Sequence, residues 1–432
     1  MMKESMKSWF LTFLILCSLL QSYFLIYRLP GVDSIVRSEN NYIQTVNIGS
    51  QLNVESMLYP SELVIHLGQN KHSVLYPEST FYNLIYSRLQ GRQFDGFQRY
   101  NLANTKWDEI RKQNQGIELE FENGIPVTLL SRVMQVYPDT LFEGESVDRV
   151  LIYNTENDDR VKAFFFSSQG NVVYEATKVD FTVQDIAQMI DFGREWVPYK
   201  MKDNYYIPQK SIDMVQTGLN IGLYSTDQMQ RSLFFDPSLT RYVREKDGSE
   251  IYTDSKRSLQ VKQDRNWINY TDPAAPAASQ NTPSRNVLSA IDFVNQHGGW
   301  SGKYRLAQIV GSLEDKHRIV FEQYHGSGQY GAFPVLDLAS FHYGVITLEM
   351  RQGTITGYER SLIYLEEEVW EKKIVALPGG ENLEKKLAVL ANEADIKALY
   401  PAYLPSLTKQ GLLLQPVWVA KLSNGAVRTI NE

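Results

Sequence analysis

The stretch Trp9–Tyr27, WFLTFLILCSLLQSYFLIY, constrains this chain more than any other, because it carries no charge over its whole length. As an α-helix it would run about 28 Å, close to the hydrocarbon thickness of a bilayer. Trp9 and Phe10 lie at one end and Tyr23, Phe24 and Tyr27 at the other, which suits rings that settle at headgroup level. A cleaved signal peptide needs a small-x-small site soon after the apolar run, and Pro30-Gly31 does not supply one. A lipoprotein would be modified at Cys17, but Leu16 stands where that processing requires a small residue. A buried core helix beginning at residue 9 would have nothing before it to pack against. The stretch is therefore read as one uncleaved membrane-spanning helix. Lys3 and Lys7 before it are balanced by Arg28 and Arg37 after it, so the flanking charges do not orient it. The short tail 1–8 favours a cytoplasmic N-terminus and export of the remainder.

No other stretch of the 432 residues is long and apolar enough to span a membrane, which leaves enough chain for two or three cores outside it. The net charge of −7 and the lack of any Lys/Arg run argue against a nucleic-acid partner. Cys17 is the single cysteine and lies within the anchor, so the exported part can hold neither a disulfide nor a thiolate site.

Beyond a polar connector over 32–51, turn dipeptides separate β-rich runs. Asn123-Gly124 divides Ile117–Phe121 from Ile125–Leu130, and Gln169-Gly170 divides Val161–Phe166 from Val172–Tyr174. Asp247-Gly248, Gln352-Gly353 and Asn424-Gly425 punctuate three further pairs of runs. Such dipeptides tolerate the positive φ of tight hairpins, and each predicts an antiparallel pair. Gly68–Lys71 gives a weaker hairpin signal. Helices are predicted over Glu78–Leu89, with Phe81, Leu84, Ile85 and Leu89 on one face, and from about Asn104 through Trp107, Ile110 and Arg111. Others open at Thr182, at a Ser284 cap with Gly298 as the stop, and over Asn382–Leu399. Hairpins interrupted by helices predict an α+β fold. The Pro/Ala/Ser-rich linker 272–284 predicts a boundary. The expected plan is a tail at 1–8, a helix at 9–27 and three α+β domains over 28–197, 198–275 and 276–432.

Residues that could carry chemistry do not assemble into a known pattern. Gly326-Ser327-Gly328-Gln329-Tyr330-Gly331 fits G-x-G-x-x-G, but Ala332-Phe333-Pro334-Val335 reads as a strand where a phosphate-binding unit needs a helix. The six histidines, His66, His72, His297, His317, His325 and His342, include no i,i+4 pair, although His317 and His325 could approach across a loop. Asn154–Asp159 has Asp159 at the sixth position of a calcium loop, where glycine belongs, and Phe165 at the twelfth. Glu366-Glu367-Glu368 reads as a solvated face. No G-x-S-x-G or S-x-x-K occurs. The expectation is a protein that is not an enzyme and has no metal or cofactor. The rival readings are a wall-active enzyme and a wall-binding module using rings such as Trp300 and Trp418.

Several stretches, in their order along the chain, resemble the YycH family of membrane-anchored regulators of the YycG (WalK) sensor kinase. They are Arg231–Asp236, Val243 through Ile251–Asp254 to Leu259, Asp292–Trp300 with Tyr304, and Leu413–Trp418. The resemblance spans essentially the whole chain. It implies a single-pass membrane protein with its bulk extracytoplasmic and a last domain similar to the partner YycI. It also implies a complex with YycI and the WalK/YycG kinase that acts on cell-wall homeostasis through helices meeting in the membrane. Leu14, Ser18, Gln21, Ser22 and Leu25 fall on one helical stripe, where small and hydrogen-bonding residues suit helix–helix contact. They are the expected partner-contact residues.

Overall fold

The computed structural model describes residues 9, 13–21, 49–155, 158–278, 281–311, 316–326 and 328–430. Residues 13–21 are helical. Among the described residues no helix is long and apolar enough to cross a membrane, and much of Trp9–Tyr27 lies outside them.

The first half of the chain builds a ten-stranded sheet. Its strands are β1 (Glu62–Gly68), β2 (Lys71–Leu75), β3 (Gln93–Asn101), β4 (Gln115–Pro126), β5 (Gln135–Val136), β6 (Ser146–Thr155), β7 (Asp158–Ser167), β8 (Val172–Val179), β9 (Tyr199–Lys202) and β10 (Tyr205–Pro208). Their order is β10-β9-β2-β1-β4-β6-β7-β8-β3-β5, antiparallel except between β3 and β5. Gln69 and Asn70 take positive φ and close the β1–β2 hairpin. One face of the sheet is covered by helices α1 (Thr80–Gln90), α3 (Val127–Val133) and α4 (Val183–Arg194), and the shorter α2 (Trp107–Gln113) lies against the other. Thr182 and Asp185 form a reciprocal capping box at the start of α4. In α1 the buried stripe is Tyr82, Ile85, Tyr86 and Leu89, while Leu84 is exposed, so the face expected from sequence is rotated.

Four of the five dipeptide hairpins form as expected. Asn123-Gly124 does not. β4 continues through it as one strand, from Leu119 opposite Val150 to Ile125 opposite Val147, with an irregularity between. Gly124 supplies its positive φ (80°) to that bulge instead of to a turn, and Val127–Val133 is helix.

The second half is nested. It starts with β11 (Ile212–Leu223), then α5 (Thr226–Leu233), β12 (Arg241–Arg244), β13 (Glu250–Thr253), β14 (Ser258–Val261) and β15 (Trp267–Thr271). It goes on through α6 (Pro283–Gln296), β16 (Lys303–Gly311), β17 (Lys316–Gly326), β18 (Ala332–Pro334), β19 (Val345–Arg351) and β20 (Thr354–Ser361). It ends with β21 (Ile363–Leu377), α7 (Gly380–Ala391), β22 (Ile396–Leu407), β23 (Leu412–Leu422) and β24 (Val427–Ile430). Strands β12–β20 make a nine-stranded sheet, and β11 joins β21–β24 in a five-stranded one. The larger sheet is thus an insertion that leaves and re-enters the smaller at Leu223 and Ile363, which are cross-strand partners. The 272–284 segment runs between β15 and α6 inside this insertion, where β15 pairs β20, so the strands on its two sides share one sheet. The true cap of α6 is Thr282, with Pro283 in the first turn, two residues before the expected Ser284. The helix expected over Asn382–Leu399 stops at Ala391, and Ile396 and Leu399 belong to β22. The strand expected after the glycine-rich loop is β18, paired with β17.

Candidate functional site

β1 and β4 are buried on both faces, so their alternating residues fill two cores. Leu63, Ile65, Leu119 and Phe121 face the helices. On the opposite face, apolar patches around Val64 and Val74 and around Leu151 and Phe164 are separated by charges. Register places them: Glu62 lies across from Glu120, and Glu120 from Arg149. Two residues along β4, Glu118 has no exposure at all.

Glu118 is the centre of this seam. Arg111, from α2, donates to it through Nε (3.0 Å to each oxygen) and Nη2 (2.8 Å), and Tyr206 donates its hydroxyl at 3.3 Å. Burial alone would raise its carboxyl, but Arg111, the His66 hydrogen bond and Arg149 outweigh that and hold it well below the usual range. Ionised, it can only accept, so His66 Nε2 at 3.1 Å carries the proton, and His66 Nδ1 accepts from His72 Nδ1 at 2.9 Å. Burial keeps both imidazoles neutral, and with the neighbouring His66 it pushes His72 down to about 3.

The next residues differ. Burial, with the facing Glu120 and Glu118 charges, pushes Glu62 well above the usual range. Burial raises Glu120 to about 7 against the pull of Arg149. Further along the bulged strand, Glu122 accepts from Arg305 of the nine-stranded sheet and Lys421 of the five-stranded sheet, each at 3.3 Å. Asn123 donates to the Ala307 carbonyl at 2.9 Å. A cleft of about 420 Å³ runs along this junction between Glu62, Glu120 and Glu122 on one wall and Tyr324, Lys397 and Tyr400 on the other.

Adjacent carboxyls in opposed protonation states are a pattern that acid–base catalysis uses. Here Glu118 is sealed under Arg111, His66 and Tyr206 and cannot meet a substrate. At its Glu122 end the seam ties three sheets together through Arg305 and Lys421. Among the described residues no three His, Asp, Glu or Cys side chains come together as a metal set. His317 and His325 lie on one strand, β17, roughly 26 Å apart by strand rise, so they do not converge. Glu366–Glu368 are exposed on β21.

No motif announces the network in the sequence, although Glu118, Glu120 and Glu122 alternate with Leu119 and Phe121, a signal of carboxylates on one face of a strand. Of the expected partner-contact stripe, Leu14, Ser18 and Gln21 are helical and exposed, at i, i+4 and i+7. Ser22 and Leu25 lie outside the described residues.

Comparison with known proteins gives the family and a shared fold. The family described as YycH protein, N-terminal domain, matches residues 4–191, and YycH protein, C-terminal domain, matches residues 202–430. The chain belongs to the YycH family. The two-component system WalR/WalK regulatory protein YycH of Bacillus subtilis (strain 168) is similar at 20% identity over 460 residues, covering 100% of this chain and 97% of the relative. The crystal structure of YycH from Bacillus subtilis shares the fold with a TM-score of 0.69 at 18% identity, over 90% of this chain and 99% of that one. Between the two matched stretches lie residues 192–201, where α4 gives way to β9, although β9 and β10 still pair into the ten-stranded sheet.

Proposed function

We propose that this YycH-family chain is a non-enzymatic, membrane-anchored regulator that works with a YycI-like partner on a WalK/YycG-type sensor histidine kinase controlling cell-wall homeostasis. The observation that carries the reading is its likeness, over 100% of this chain and 97% of the relative, to a protein named as a WalR/WalK regulatory protein. The central ion pair of the charge seam, Arg111 with Glu118, is buried and suits a structural role. On this reading Trp9–Tyr27 spans the membrane with the bulk of the chain extracytoplasmic. Its stripe Leu14, Ser18, Gln21, Ser22 and Leu25 meets partner helices, where Ser and Gln can hydrogen-bond between helices. A helix that binds one kinase state better by ~1–3 kcal/mol biases that kinase ~5–150-fold.

The test is co-purification in detergent of the full chain with the kinase and the YycI-like protein. It is run beside a chain whose residues 9–27 are replaced by an unrelated spanning helix and beside the triple variant Ser18→Leu, Gln21→Leu, Ser22→Leu. Loss of the kinase in both altered chains, with altered autophosphorylation, is expected. Kinase capture and output unchanged in both would overturn the reading, as would hydrolysis of peptidoglycan by a fragment lacking the anchor.

A further inference from the structure

The chain that emerges from the N-terminal segment does not go first to the sheet it will join. Residues 49–52 are gripped by the nine-stranded sheet's module, 243 residues away in sequence. Gly49 N donates to the Gly298 carbonyl at 2.6 Å. Ser50 and Trp300 exchange both backbone hydrogen bonds, at 3.0 and 2.9 Å. Asn295, in the last turn of α6, closes the contact. Its Oδ1 accepts from Leu52 N (3.0 Å) and from Trp300 Nε1 (2.9 Å), while its Nδ2 donates to the Leu52 carbonyl (2.9 Å).

The approach is so close that it depends on two glycines. A Cβ on Gly49 would stand 2.0 Å from the Trp300 carbonyl oxygen. Gly299 has φ +78°, and a Cβ there would stand 2.7 Å from the Gly49 carbonyl oxygen. The clasp is also fixed from beneath. Arg360 of β20, 1% exposed, donates Nη1 to the Gly299 carbonyl at 2.7 Å and to the Tyr358 hydroxyl at 3.1 Å, with its guanidinium over the Tyr224 ring. Trp300 is itself buried against Phe321 and Tyr304. After the clasp the chain passes through Val54 and Met57 to the N-terminal sheet, where Tyr86 and Tyr82 donate to the Leu58 and Pro60 carbonyls.

We propose that this clasp is the mechanical link between the C-terminal module and the membrane-side segment. Any shift of α6 or β20 moves residues 49–52 with it, and release of the clasp frees about 13 Å of extended chain. The clasp itself stands on the geometry above; its effect on a kinase rests on the regulator reading.

The experiment uses the full chain in membranes with its kinase, as wild type, Asn295→Ala, Asn295→Asp and the exposed-surface control Gln98→Ala. The aspartate variant opens no cavity but sets a second oxygen against the Leu52 carbonyl, so it opens the clasp even where the alanine variant folds poorly. Backbone hydrogen exchange at Ser50, Leu52 and Trp300 is expected to accelerate roughly tenfold in the Asn295 variants, with β1 amides unchanged. Kinase autophosphorylation is expected to change in the same variants and not in Gln98→Ala. Unchanged exchange would overturn the clasp. Faster exchange with unchanged kinase output, while replacement of residues 9–27 does change that output, would overturn the link and leave the regulator standing. Kinase output untouched by either alteration would overturn both.

Discussion

Replacing Arg111 by methionine tests whether the seam is held by charge or by shape. Arg111 is 4% exposed and makes three contacts of 3.0 Å or less to a carboxylate with no exposure. Methionine keeps much of the stem's packing but strands that carboxylate, and stranding one partner of a buried pair costs roughly 3–5 kcal/mol. Arg149 Nε, 3.5 Å from Glu118, and His66 remain, which places the expected loss near the lower end, about 3 kcal/mol. Urea unfolding followed by tryptophan fluorescence measures it. The double variant Arg111→Met, Glu118→Gln should recover at least half, because the stranded charge is gone. The acid limb adds a second reading. Glu118 is depressed in the folded chain, so its stabilisation is complete above the unfolded value near 4.5 and is lost as pH falls through the folded one. Arg111→Met should shrink that acid-side loss. A single variant losing less than about 1 kcal/mol, or a double variant whose loss is the sum of the two singles, would refute the charge argument.

Glu120 carries its proton up to about 7, so the folded state holds a proton that the unfolded chain releases near 4.5. Stability should therefore fall as pH rises through that window, and Glu120→Gln should flatten the fall between pH 5 and 8 by about 1–2 kcal/mol, read from urea midpoints. Gly193 in α4 lies where a Cβ would stand 2.7 Å from Ile65 Cδ1 of β1. Gly193→Ala should lower stability by about 1–3 kcal/mol through overpacking, despite alanine's better helix propensity, and a thermal melt showing stabilisation would overturn that contact.

What the sequence revealed follows how local each determinant is. Gln169-Gly170 and Gln352-Gly353 marked real hairpins because the turn alone decides them. Asn123-Gly124 carries an equal demand for positive φ, but a bulge meets it as well as a turn does, and the choice depends on β6 beyond it. Ile396 stands nine residues past Leu387, half a turn off the buried helix face, and with Leu399 it pairs along β23 instead. The nesting of one sheet within another was out of reach, because β11 and β21 meet across an insertion that no local pattern announces. The same holds for Ser50 and Trp300. The seam was half legible: the alternation of Glu118, Glu120 and Glu122 is plain, but whether strand β4 is buried on both faces depends on α2 and β10 arriving from elsewhere.

Glu122 shows how the seam tolerates loss on one side and not on the other. Its carboxylate accepts from Arg305, whose side chain is 3% exposed, and from Lys421. Beside them Glu322 is raised to about 7, by burial first and then by the Glu122 charge, against the pull of Arg305. Removing Glu122 by Glu122→Gln takes away that repulsion, so Glu322 should ionise at lower pH and take over as the counter-ion of Arg305. The expected loss is then modest, about 1 kcal/mol, and the Glu322 carboxyl followed by carbon NMR should titrate below its present value. Arg305→Met has no such relief, since it leaves Glu122 and Glu322 facing each other with Lys421 alone between them. Its loss should reach roughly 3 kcal/mol or more. Equal losses in the two variants, or a Glu322 titration that does not move in Glu122→Gln, would mean that the two carboxyls do not share one cation, and that packing around Tyr59 and Tyr324 holds the modules together instead.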